Sequence, residues 1–201
     1  MPKLKLLAAT VLMGVAQLVC AQGQADVAVA KAPGKVKVAG VHTVTAEVLN
    51  VDPATRVVRL KRSDGKTFEI QVGEEARNFD QLRIGDKVTA TYKEALSLSL
   101  KKGGGGAASV DAPAPTMERA ASGAKPGGTV ARQVTVVANV TAVHPKSKTV
   151  TLKGPEGNTV DVLVEDPAQL ANIKKGDQVE AVYTEALAIS VQPAETAAHA
   201  K

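Results

Sequence analysis

The residues able to do chemistry are few. There are three histidines, His42, His144 and His199, and one cysteine, Cys20. The two tyrosines each stand two residues before a glutamate, as Tyr92 with Glu94 and Tyr183 with Glu185. Histidine and cysteine would point to zinc, and copper(I) also takes the thioether of methionine. No H-x-x-x-H spacing occurs, and a lone cysteine cannot build a multi-cysteine zinc site. A phenol beside a carboxylate can exchange a proton. Here Ser99 and Ser190 are the shared hydroxyls that follow, and no second base accompanies either pair to activate a nucleophile. The carboxylates Glu74-Glu75 and Glu165-Asp166 are adjacent, not alternating as in a calcium loop. The run Gly103-Gly104-Gly105-Gly106 is not followed by Lys-Ser or Lys-Thr, as a phosphate loop requires. The expectation is therefore no enzyme, no cofactor, and no catalytic, cofactor-binding or metal-ligating residue. A metal-handling role is the alternative, and it would rest on His42 or His144 with nearby carboxylates.

One basic stripe remains: Arg56, Arg59, Lys61 and Arg62. Phosphates attract such a stripe. Single-strand-binding barrels, however, also stack bases on aromatic side chains, and aromatic residues make up only 2% of this chain. Nucleic acid is not the expected partner. An envelope protein or polymer is.

The elements that position these residues follow from an internal comparison. Residues 43–76 align with 135–168, and 78–100 with 169–191 after Arg77 is omitted; 22 of the 57 pairs are identical. The turns match as well as the apolar positions, so the chain reads as a duplicated unit. Within each copy the apolar period is two, the mark of strands. Val44, Ala46 and Val48 form one row, then Val58 and Leu60, then Phe68, Ile70 and Val72. Their counterparts are Val136, Ala138 and Val140, then Val150 and Leu152, then Val160, Val162 and Val164. Asp64-Gly65 and Glu156-Gly157 supply hairpin turns. A short helical turn anchored by Phe79 and Leu82, or by Leu170 and Ile173, precedes Gly85-Asp86 and Gly176-Asp177. Strand four then holds Val88, Ala90 and Tyr92, with Tyr92 and Tyr183 expected to plug the interior. A corner at Glu94-Ala95 and Glu185-Ala186 leads to strand five. The expectation is an all-β protein of two tandem five-stranded OB-like barrels, with a half-open SH3-like barrel as the alternative.

The strings Asn78-Phe79-Asp80-Gln81-Leu82 before Gly85-Asp86, and Tyr-x-Glu-Ala-Leu at 92–96 and 183–187, resemble uncharacterised exported proteins of Gram-negative bacteria. That resemblance implies a periplasmic setting and carries no chemistry. The strand–turn–Gly-Asp–strand rhythm is more remotely similar to the periplasmic barrels of copper-efflux chaperones. Those barrels hold copper through Met, His and a stacking Trp, and neither copy here has Met or Trp.

The amino terminus reads as an export signal. Lys3 and Lys5 precede an apolar run from Leu6 to Val19, and Val19-Cys20-Ala21 suits cleavage before Gln22. Lipidation of Cys20 is the competing reading, but Val19 and Gln17 occupy lipobox positions that favour a small residue and Leu. Cleavage leaves 23 basic against 20 acidic residues and no thiol. No apolar stretch of the mature chain approaches the ~18 residues of a membrane span. The expected organisation is a signal peptide at 1–21 and a flexible segment at 22–40. A first barrel covers 41–101, a disordered Gly/Pro-rich linker 102–132, a second barrel 133–192 and a tail 193–201.

Overall fold

The computed structural model describes residues 24–194. The expected signal segment with Cys20, and His199, lie outside the described residues. The described chain is all-β, as the period-two pattern dictates. Its strands are β1 (Gln24–Ala32), β2 (Lys35–Asp52), β3 (Val57–Arg62), β4 (Thr67–Gln71), β5 (Lys87–Lys101), β6 (Ser109–Asp111), β7 (Thr116–Arg119), β8 (Gly128–His144), β9 (Thr149–Lys153), β10 (Thr159–Leu163) and β11 (Gln178–Gln192). A 3-10 turn, Phe79–Gln81, and a short helix α1, Pro167–Ala171, sit in corresponding places. Among the described residues no helix is long and apolar enough to cross a membrane.

All strands join one antiparallel sheet that does not close, with the order β10-β9-β8-β11-β5-β2-β3-β4; β1 pairs with β2, and β6 and β7 pair with β8. The two aligned halves are continuous in that sheet. They share a sheet through β5 and β11, which pair along fifteen residues, from Gln178 with Lys101 to Gln192 with Lys87. The register is centred on Glu94 opposite Glu185, which are aligned residues of the two copies. A local two-fold axis perpendicular to the sheet follows from that register.

The expected corner at Glu94-Ala95 and Glu185-Ala186 is corrected: strands four and five run on as one 15-residue strand in each copy. The reason is pairing on both sides. Glu94 lies between Gly40 of β2 and Glu185 of β11, and Glu185 lies between Glu94 and Arg132 of β8. With both backbone edges bonded, the chain has no cause to turn.

Two small cores occupy opposite ends of one sheet face. The first gathers Ala46, Val48, Val58, Leu60, Phe79 and Leu82, with Val88 and Val191 packed against them. The second gathers Val140, Val150 and Leu170, with Leu152, Val164 and Ile173. Val48 and its aligned partner Val140 are 0% and 2% exposed. Each lies at a bulge, where the register of β2 with β3, or of β8 with β9, slips by one residue. The Gly-Asp turn clamps that bulge. Val48 N–H donates to Asp86 O at 2.9 Å, and Gly85 N–H donates to Val48 O at 2.8 Å. Val140, Asp177 and Gly176 repeat the arrangement, both bonds at 2.9 Å. The turns need φ of +88° at Gly85 and +92° at Gly176, which explains glycine at both.

Residues 102–132, expected as a linker, contain β6 and β7 and are tied at both ends by lysine. Lys102 Nζ reaches the Asp177 carboxylate at 2.9 Å, and Lys125 Nζ reaches Asp86 at 2.6 Å. β6 and β7 gain their stability from main-chain bonds to the free edge of β8, which hydrophobic spacing does not reveal. Likewise residues 22–40, expected to be flexible, contain β1 and the first third of β2.

Candidate functional site

The long strands β2, β5, β11 and β8 set the geometry of the candidate site. Side chains alternate between faces, and cross-strand partners share one. On one face the register puts Val38 beside Leu96, Leu96 beside Tyr183, and Tyr183 beside Val134. One step past the centre, His42, Tyr92, Leu187 and Val130 form the matching row. Val27 and Val29 of β1, Val110 of β6 and Met117 of β7 extend this face at its margins. The opposite face carries Thr43, Thr45, Thr89, Thr91, Ser97 and Ser99, and the threonines pair as Thr43 with Thr91 and Thr45 with Thr89. The first face thus carries the apolar rows around Glu94, Glu185 and Arg132, and the second mixes these hydroxyls with small apolar residues such as Ala95, Val182 and Ala186.

The apolar side is not covered between the two cores. Val27 is 67% exposed, Val29 57%, Met117 50%, Leu187 42% and Leu96 39%. Contiguous exposure of this kind marks an interaction surface far more often than scattered single residues do.

At its centre sits a polar cluster. Tyr92 and Tyr183 both donate their hydroxyls to Glu185 Oε2, at 3.1 and 3.0 Å, and the two hydroxyl oxygens are 3.5 Å apart. Arg132 pairs with the other oxygen, Oε1. The register places Gly40 beside Glu94 at the position where Arg132 stands beside Glu185, so the two halves differ here. Burial raises the Tyr92 phenol above its ordinary pKa. The bond with Tyr183 opposes that shift, and the charges of Glu185 and Glu94 reinforce it. Tyr183 is also raised, first by burial and then by its bonds with Tyr92 and Glu185. Both phenols are therefore donors at neutral pH, and Glu185 accepts from both while pairing with a guanidinium. The cluster is a closed hydrogen-bonded set that fixes the middle of the face. It does not plug an interior, as the sequence led us to expect.

No protein-family model, curated protein or solved structure matches this chain.

The other residues singled out in the sequence fall in separate places. His42 lies within β2, opposite Tyr92, rather than at a strand edge. His144 ends β8, its Nε2 3.3 Å from the Thr151 hydroxyl, which donates to Asp161 at 2.6 Å. No group of three or more His, Cys, Asp or Glu side chains suited to a metal ion occurs among the described residues. The basic stripe is dispersed into local contacts. Arg56 stacks 4.5 Å over the Phe79 ring and donates to Val72 O, Gly73 O and Ala76 O. Arg59 pairs with Glu69, and Arg62 with Asp64. Asp166 caps α1 through the Ala168 amide.

Lys102, Lys125 and Arg132 were missed in the sequence. All three belong to the Gly/Pro-rich stretch at 102–132. Nothing local announces partners tens of residues away.

One prediction arises from the cluster. The chain has two tyrosines and no tryptophan, so absorbance near 295 nm reports these two phenols alone. Both should ionise above the ordinary tyrosine range in the folded protein. The Glu185→Gln variant should lower the titration, since it removes the carboxylate charge that disfavours phenolate. Because a raised pKa stabilises the fold only while the group stays protonated, stability should begin to fall above about pH 10. Free-tyrosine behaviour of both phenols in the folded native chain would contradict the geometry.

Proposed function

We propose that this chain is an exported, non-enzymatic binding protein of the bacterial cell envelope, holding its partner on the apolar face of the shared sheet. The observation that carries the reading is the one-sidedness of β2, β5, β11 and β8. One face mixes Thr and Ser with Lys and small apolar residues, and the other exposes Val27, Val29, Leu96 and Leu187. A contiguous exposed apolar patch on a sheet marks an interaction surface. Export is supported by the signal-like order of Lys3, Lys5, the apolar run Leu6 to Val19 and Val19-Cys20-Ala21. Each half is proposed to be a half-open small barrel derived by duplication, supported by the aligned burial of Val48 with Val140 and Val58 with Val150.

Periplasmic extraction tests both parts. Intact mass should show a chain beginning at Gln22; a diacylglyceryl-modified Cys20 would replace the soluble mature form with a lipoprotein. In the same extract the native protein should elute in an assembly larger than its monomer. The Leu96→Lys/Leu187→Lys variant should elute as a folded monomer. Identical elution of the two, whether as monomers or as the same assembly, would sink the face as binding surface.

A further inference from the structure

A cleft of about 420 Å³ opens where the second core meets the shared sheet. That volume lies within the range of about 300–1,000 Å³ typical of small-molecule sites. Its floor is the apolar sheet face, with Val36, Leu98 and Ala181. One wall is the β9–β10 hairpin, where Val160 and Val162 line it. The lining contains no aromatic residue. Glu156, Asn158 and Gln169 form its polar part, and Lys35 and Ser99, paired on the opposite face of the sheet, border it. Gln169 is already committed, accepting from Gly34 N–H at 2.8 Å and donating to Ala32 O at 2.7 Å.

Comparison of the two halves accounts for the cleft. Phe68, Ile70 and Phe79 of the first half align with the smaller Val160, Val162 and Leu170 of the second. The covering loops differ too. In the second half the neighbouring connection is the tight Pro33-Gly34 turn between β1 and β2. The corresponding β7–β8 connection, residues 120–127, folds over the first half: Asn78 Nδ2 donates to Ala121 O at 2.6 Å, and Lys125 Nζ donates to Gln81 O at 2.8 Å. The buried Phe79 and a long loop close one half, while Phe68 and Ile70 stay 38% and 39% exposed. Small side chains and a short turn leave the other open.

We infer that this cleft is a binding site for a single unbranched hydrocarbon chain, that of a fatty acid. Aliphatic walls without aromatic rings favour a flexible chain over a flat ring system. Every buried side-chain polar atom among the described residues already has a hydrogen-bond partner, so no unpaired buried group there calls for a polar ligand. The inference rests on the binding-protein reading and names one ligand class for it.

The probe is cis-parinaric acid, a fatty acid that fluoresces when its chain is sheltered from water. The mature chain should bind one equivalent saturably, and palmitate should displace it. Val160→Phe with Val162→Ile installs the residues of the first half and should weaken binding at least tenfold, with unchanged far-UV circular dichroism. Val36→Lys, on the opposite side of the cleft, should do the same by a different route. Absence of saturable binding, or equal binding by both folded variants, would overturn the inference. So would a native dimer that Val160→Phe disperses, since the cleft would then belong to a second copy. If fatty acid does not bind while Leu96→Lys/Leu187→Lys still releases the envelope assembly, the cleft inference alone fails.

Discussion

Replacing Asp86 with alanine should destabilise the fold by about 2–4 kcal/mol, since it removes a buried carboxylate and leaves its donors without an acceptor. Asp86 is 1% exposed. Its carboxylate accepts from Lys125 Nζ at 2.6 Å, from Arg83 N–H at 2.8 Å and from Ala194 N–H at 3.3 Å. The same residue's carbonyl closes the bulge at Val48. One side chain therefore joins the turn, the β7–β8 connection and the chain after β11. Urea unfolding should show a lower midpoint with an unchanged slope, because the surface exposed on unfolding stays the same. A loss below about 0.5 kcal/mol, the range of ordinary surface substitutions, would contradict this role.

Asp177 makes the matching contacts in the second half, and its ionisation adds a pH signature. Burial by itself would raise its pKa, but the bonds from Lys102 and from the Lys174 and Gly103 amides outweigh burial and hold it below the usual carboxylate value. A depressed folded pKa stabilises the protein above the unfolded value, near 4, and that stability drains away as pH falls through the folded value. Asp177→Asn should flatten this acid limb.

The second large effect concerns the shared sheet. Cut between β6 and β7, at Ala112-Pro113, the chain should yield two fragments that co-purify one to one when expressed together. Fifteen residue pairs between β5 and β11 join them, and β6 crosses to β8. Expressed alone, either fragment exposes a 15-residue strand edge, a ready template for pairing with another copy. Because Glu94 faces its own aligned residue, the fragment 24–112 should form a symmetric dimer through β5, or aggregate. Two stable monomers with dispersed amide spectra and no mutual affinity would show that each half is self-sufficient.

Much of the local structure was legible in the residues. The alternation around Val48, Val58 and Leu60 gave the strands and their buried face, and Gly85-Asp86 and Gly176-Asp177 marked the turns that now clamp the bulges. Glu94-Ala95 was misread for a physical reason. A carboxylate in the middle of an apolar row signals an interruption when its neighbours are unknown. Across the sheet, Arg132 and two phenols supply what Glu185 needs, so the strand continues. The strands at 109–111 and 116–119 left no periodic trace, because edge pairing needs only main-chain groups. The face itself was half legible. The apolar rows were visible, but that they remain uncovered follows from the sheet staying open, which depends on the long-range register of β5 with β11.

The most direct test of the account places a photoreactive phenylalanine analogue on each side of the shared sheet in living cells. Leu96 and Leu187 report the apolar face; Ser97 and Ala188, their immediate neighbours, report the opposite one. Irradiation should join the protein, from Leu96 and Leu187 only, to one discrete envelope component, and the Val38→Lys change beside Leu96 should abolish that adduct. Equal adducts from both faces, or none from Leu96 and Leu187 in a correctly exported and folded chain, would contradict the assignment of this face as the binding surface.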